Sequence, residues 1–146
     1  ISLLRQKESK PLEALVMNLA NGDFFVRTEN EYYRGNITLL DEKHAIICDN
    51  VPKVGLFEKA YENPHIVEKL QKYKLKFRSP GAVALSLAYA PYVKYVLFLG
   101  TMRPYDIQAG LYLSKDLKIE VNDNYLLVSH DNICFEQLQS ILKEYF

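Results

Sequence analysis

Residues 95–114 read YVLFLGTMRPYDIQAGLYLS, and the order of elements in that stretch decides the fold class. Tyr95 to Leu99 is a continuous apolar run with the length and residue types of a strand buried on both faces. A glycine and a proline interrupt it, and Asp106 to Ser114 then reads as a short helix. A strand passing straight into a helix belongs to a layered α/β unit rather than to a helical bundle or a closed barrel. Asp106 stands at the junction. By local chemistry an aspartate there is a helix N-cap, favoured by the helix dipole. The same carboxylate type also serves as a hard oxygen ligand for a cation such as Mg²⁺.

Moving outward, the pattern differs on the two sides. Toward the N-terminus, Ile1 to Arg5 and Leu12 to Asn18 are strand-like runs joined by the polar QKESKP. Asn21-Gly22 is a strong hairpin turn signal before DFFVRT. A further turn is expected at Arg34-Gly35-Asn36, followed by a strand from Ile37 to Leu40, the charged DEKH, and a buried strand AIICD at 45–49. The second half alternates strands with helices. Asn63-Pro64 is a helix start, with Ile66, Val67, Leu70 and Tyr73 on one face. Ser79-Pro80 repeats that signal before GAVALSLAYA, which Pro91 ends. LKIEV and YLLV are two more strands. Asp131 or Asn132 caps a last helix whose inner face is Phe135, Leu138, Leu142 and Tyr145. The expected architecture is therefore a mixed α/β (α+β) layered sandwich in one domain, antiparallel strands first and then strands alternating with helices.

Composition narrows the function classes. Eighteen basic residues balance eighteen acidic ones, so no global field points to nucleic acid or to an anionic membrane. The basic run KLQKYKLKFR (69–78) is read as a helix end passing into a strand, with its lysines in solvent. No apolar run approaches the length needed to span a bilayer. Cys48 and Cys134 lack metal-ligand spacing and read as buried free thiols of a cytoplasmic protein. His44, His65 and His130 lie in separate turn-like contexts and read as surface or capping residues. SPGAVAL (79–85) offers backbone N–H groups at a helix start, as every helix does.

Taken in order, the pieces resemble the C-terminal part of the inositol monophosphatase family, Mg²⁺-dependent phosphatases related to fructose-1,6-bisphosphatase. The resemblance rests on the initial strand pair with its short polar turn and on two motifs. Arg78-Ser79-Pro80-Gly81-Ala82-Val83-Ala84-Leu85 is similar to the family's Arg-x-x-Gly-small-x-Ala-Leu helix opening. Tyr105-Asp106-Ile107-Gln108-Ala109-Gly110 is similar to its aromatic-Asp-hydrophobic-x-Ala-Gly motif. The resemblance implies that Asp106 is a Mg²⁺ ligand and that Gly81 and Ala82 lie beside the ring of a small phosphorylated polyol or sugar. It implies a phosphomonoesterase acting on such a compound. The balanced charge leaves nucleic acid and membrane out as partners, and a first sheet lacking its partner layer is expected to self-associate, giving a homo-oligomer.

The departures carry expectations of their own. The family's Gly-Glu-Glu and Asp-Pro-Leu-Asp-Gly-Thr/Ser segments, which supply most metal ligands, would lie upstream of Ile1. In an ungapped match, Leu99 stands where a carboxylate often precedes the motif aspartate, and Lys115 to Lys118 replace the usual Gly-Gly. The chain begins inside the apolar run ISLL without an initiator Met. It is accordingly expected to be the C-terminal portion of a longer phosphatase chain, inactive alone with its metal position empty. The alternative is a truncated or degenerate non-catalytic relative used for binding or assembly.

Overall fold

The computed structural model describes residues 1–39, 41–44 by their backbone course, and 52–146. The first unit is an antiparallel meander of β1 (Ser2–Lys7), β2 (Lys10–Met17), β3 (Asp23–Arg27), β4 (Tyr32–Asn36) and β5 (Asp41–His44), paired in that order. Its boundaries correct the sequence reading in three places. The first connection is a two-residue turn, Glu8-Ser9, with both residues at positive φ (51° and 64°) and Lys7 paired to Lys10. Such a turn matches the twist of the strands, and an exposed ladder needs no apolar side chains to continue through Gln6 and Lys10. Arg34, Gly35 and Asn36 are strand residues, and the turn falls at 37–39 instead. The cause is Asn36, whose Oδ1 accepts from the Thr38 and Leu39 N–H groups while its Nδ2 donates to Asp23. The polar DEKH, read as a connection, forms β5, while the expected strand AIICD and Cys48 lie outside the described residues.

The second sheet is mixed, in the order β7-β6-β8-β10-β9. It is built from β6 (Val54–Glu58), β7 (Lys76–Arg78), β8 (Val96–Leu99), β9 (Lys118–Val121) and β10 (Tyr125–Ser129). β6 runs parallel to β7 and β8, and β10 is antiparallel to both β8 and β9. Among the described residues four α-helices accompany it: α1 (Pro64–Lys72), α2 (Val83–Ala88), α3 (Pro104–Leu113) and α4 (Asn132–Lys143). α2 and α3 lie between the two sheets, touching β1, β2 and β3 on one side and β8 on the other. α1 and α4 cover the far face. The result is the layered architecture expected, sheet on helices on sheet on helices.

The continuous apolar runs of β8 and β10 follow from this sandwiching. Val96, Phe98, Leu126 and Val128 face Leu87 and Ile107 of the central helices. Leu97, Leu99 and Leu127 face Ile66, Leu70, Leu138 and Leu142 of the outer ones. Tyr73 and Tyr145, placed on helix inner faces by periodicity, are 44% and 39% exposed, because each falls just beyond the last helical turn. The meander is covered differently on its two sides. Ala14, Val16 and Phe25 pack on Ala88, Ala109 and Leu113. Leu3, Leu15 and Val26, paired across β1 to β3, point the other way, with Leu3 57% exposed. Among the described residues no helix is long and apolar enough to cross a membrane.

Candidate functional site

The carboxyl ends of the parallel strands β6 and β8 open onto one cleft of about 1020 Å³, the location where layered α/β sheets bind ligands. Gly81 and Ala82 line it before α2, and Arg103 and Asp106 line it at the start of α3. The two motifs, separated in sequence, thus meet across a single concavity. Among the described residues neither His65 nor His130 lines it. The lysines of the basic run lie elsewhere: Lys72, Lys74 and Lys76 are exposed, and Lys69 donates to Glu144 at 2.7 Å.

Asp106 occupies a different helix position from the one its chemistry predicts. Arg103 is the N-cap residue of α3, Pro104 takes the first helical position, and Asp106 is the third residue of the helix. Proline at that first position forfeits no helical hydrogen bond and sets the start one turn earlier than the aspartate alone would. Asp106 still lies in the favourable field of the helix start. Its Oδ2 accepts from Arg103 Nε at 2.7 Å, and this bond pushes the guanidinium's pKa up. Thr101, Met102 and the exposed Tyr105 complete this wall.

The Gly81-Ala82 turn is set by a residue that sequence reading passed over. Ser79-Pro80 does not begin the helix; α2 starts at Val83, with Ala82 as N-cap and no side-chain cap. The turn's N–H groups donate instead to Glu58, the last residue of β6: Gly81 N to Oε2 at 2.9 Å and Ala82 N to Oε1 at 3.2 Å. The Ser86 hydroxyl makes a short bond to the same carboxylate. Glu58 is only 3% exposed, and three donors offset the cost of burying its charge. Its one sequence signal is an acid closing the apolar strand VGLFE. Gly81 has φ +79°, and a Cβ built there would meet nothing within 4 Å. The conformation requires glycine while the space beside it belongs to the cleft.

Lys59 follows Glu58 and is the second residue missed. Its Nζ lies 3.6 Å from Glu62 and 5.5 Å from the Phe98 ring centroid, at the cleft's rim. The neighbouring Tyr61 hydroxyl has its pKa raised by its hydrogen bond to Glu62.

As a metal centre this constellation is incomplete. Asp106 and Glu58 are the cleft's two carboxylates among the described residues, and Glu58 is committed to the turn. Among those residues no three Asp, Glu, His or Cys side chains converge. Mg²⁺ requires several oxygen ligands to be held, so the residues present do not by themselves fit the ion.

No protein-family profile matches the sequence, and no curated protein matches it significantly. The fold, however, is that of the inositol monophosphatases. The chain superposes on the IMPase of Thermotoga maritima with a TM-score of 0.76 at 16% identity, covering 98% of this chain and 61% of that one. For SuhB of Mycobacterium tuberculosis the values are 0.74 and 12%, with 99% and 63% covered. CysQ of Bacteroides thetaiotaomicron, described as a bacterial member of the inositol monophosphatase family, gives 0.68 and 6%, with 90% and 62% covered. Identities this low show a common fold. The chain spans about three fifths of the length of these structures.

Proposed function

We propose that this chain is the C-terminal portion of a cytoplasmic Mg²⁺-dependent phosphomonoesterase. Its substrate would be a small polyol or sugar phosphate of the inositol phosphate or fructose bisphosphate type. The observation that carries this reading is the meeting of the two motifs, Gly81-Ala82 and Asp106, in one cleft of an inositol monophosphatase-like fold. A related staphylococcal IMPase-II has been solved with inositol monophosphate bound. In this reading Asp106 contributes one oxygen ligand to Mg²⁺, and the remaining ligands come from residues outside this chain. Bound Mg²⁺ would activate water and neutralise the leaving oxygen. Gly81 and Ala82 give a small, open surface for the polyol ring.

The test is phosphate release by the longer protein carrying this chain, assayed on inositol monophosphate and fructose bisphosphate with Mg²⁺ and then with EDTA. Mg²⁺-dependent release supports the reading; no release on any small phosphomonoester ends it. A second reading, a non-catalytic relative kept for binding or assembly, draws on the Arg103–Asp106 ion pair, which gives the motif aspartate a counter-ion from its own helix start. The same assay separates the two.

A further inference from the structure

We propose that the outer edge of β7 is a docking site for an extended peptide segment that places an apolar residue between two acidic ones. The edge lies beside a groove of about 460 Å³, lined by Gln71 from the last turn of α1 and by residues 74–78. No residue lines both this groove and the cleft, so the site stands apart from the phosphatase reading. Among the described residues β7 pairs with β6 alone. The ladder fixes which backbone groups β7 leaves open. Val54 O accepts from Lys94 N at 2.9 Å and Leu56 N donates to Tyr95 O at 2.8 Å, so both turn toward β8. Strand alternation then turns Gly55 toward β7, between Lys76 and Arg78 in the register. The N–H and C=O of Phe77 are left pointing outward. That carbonyl accepts from Arg78 Nη1 at 3.0 Å and keeps a second lone pair. One residue of an added strand can exchange both backbone bonds with Phe77, the mode by which open sheet edges take up peptides.

Side chains set the occupant's sequence. Phe77 faces the α1 and α4 side of the sheet, its ring 5.5 Å from that of Phe57, and the buried Leu75 joins the same cluster. Lys76 and Arg78 therefore stand on the opposite face, both exposed. A residue paired with Phe77 meets apolar surface, while its two neighbours meet Lys76 and Arg78. The matching order is acidic, apolar, acidic. Among the described residues no ion pair engages Lys74, Lys76 or Arg78, and no acid lines the groove. Lys74 adds its charge from an unfavourable backbone position. It follows α1 at φ 56°, with Leu75 N bonded to Leu70 O, where glycine is the ordinary residue. A second copy of this chain does not fit the edge: antiparallel pairing about Phe77 would set Lys76 against Arg78 twice, like charge on like.

The experiment is an NMR titration of the ¹⁵N-labelled chain, kept dilute, with a blocked peptide built around Glu-Leu-Glu and with its Lys-Leu-Lys counterpart. The acidic peptide should shift the Phe77 amide saturably, and the basic one should not. Lys76→Gln and Arg78→Gln should each weaken binding about two- to fivefold, the scale of an exposed ion pair, and rising salt should weaken it further. Lys74→Gly should weaken it too while leaving the thermal midpoint no lower, since glycine suits the left-handed backbone, so lost folding cannot account for the change. No shift of Phe77 by the acidic peptide, equal binding of the basic one, or unchanged affinity in both glutamine variants overturns the proposal. A Phe77 shift that grows with protein concentration alone also overturns it, by assigning the edge to a second copy. So does tighter binding of a single-stranded oligonucleotide at Phe77, which assigns the cations to nucleic acid.

Discussion

Arg103 and Asp106 are paired across the first turn of α3, Nε to Oδ2 at 2.7 Å, with the arginine side chain 68% and the aspartate 35% exposed. The aspartate proposed above as a Mg²⁺ ligand thus already has a positive partner, one open to solvent and readily displaced. Asp106 also forms no side-chain cap of α3, so its contribution to folding is confined to the helix field and this solvent-open ion pair. Asp106→Asn should accordingly cost less than about 1 kcal/mol of stability, seen as a small shift of the thermal midpoint in circular dichroism. A loss of several kcal/mol would mean that the carboxylate is built into the fold.

Gly110 belongs to the same motif and does a different job. A Cβ there would stand 2.5 Å from Leu87 Cβ, so α2 and α3 touch through the missing side chain. Gly110→Ala should destabilise the chain by about 1–3 kcal/mol by forcing the two helices apart. Urea unfolding measures this directly. An unchanged midpoint would show that the helix contact is slack.

The outer face of the meander predicts self-association. Leu3, Leu15 and Val26 form a cross-strand apolar row turned away from α2 and α3. Among the described residues no helix packs on this row, and apolar rows left partly exposed on a sheet face are interaction surfaces. The isolated chain should bind a hydrophobic dye and gain mass with concentration in light scattering, and Leu3→Lys should weaken both. A monodisperse monomer at high concentration, with no dye binding, would contradict this.

Cys134, the N-terminal-turn residue of α4 that donates its N–H to the Asp131 cap, has its thiol pKa pushed up by burial from 9.0 to about 11. In the unfolded chain the thiol ionises first, so this contribution to stability is complete below pH 9 and is lost as pH rises toward 11. In a Cys48→Ser background the folded chain should react slowly with a thiol reagent at pH 8, at a rate set by opening of the fold. Reaction at the speed of a free thiol would show that Cys134 is accessible.

Much of this architecture is written in local pattern. The buried strands at 95–99 and 125–128, the Asn21-Gly22 turn and the Asp131 cap follow from short-range chemistry alone. Ser79-Pro80 shows where local reading stops. It carries the same start signal as Asn63-Pro64, yet α2 begins later because its preceding N–H groups are claimed by Glu58, 23 and 24 residues away in sequence. The Arg34-Gly35-Asn36 reading fails for a related reason: Asn36 bonds forward to 38 and 39 and back to Asp23, which moves the turn beyond it. The two motifs were legible as segments. Glu58, which ties one of them to the sheet, was not, because no local rule assigns a glutamate at a strand end to a turn on another element.

The proposed role of Asp106 is tested most directly by phosphate release from the longer protein proposed above, wild type against Asp106→Asn, across a Mg²⁺ titration on inositol monophosphate. If Asp106 holds Mg²⁺, the variant should lose activity on the order of 100-fold and need far more Mg²⁺ to approach its own maximum, while its melting curve stays near that of the wild type. The 146-residue chain by itself should release none. Wild-type activity and an unaltered Mg²⁺ dependence in Asp106→Asn would contradict the assignment and leave this aspartate an ornament of the helix start.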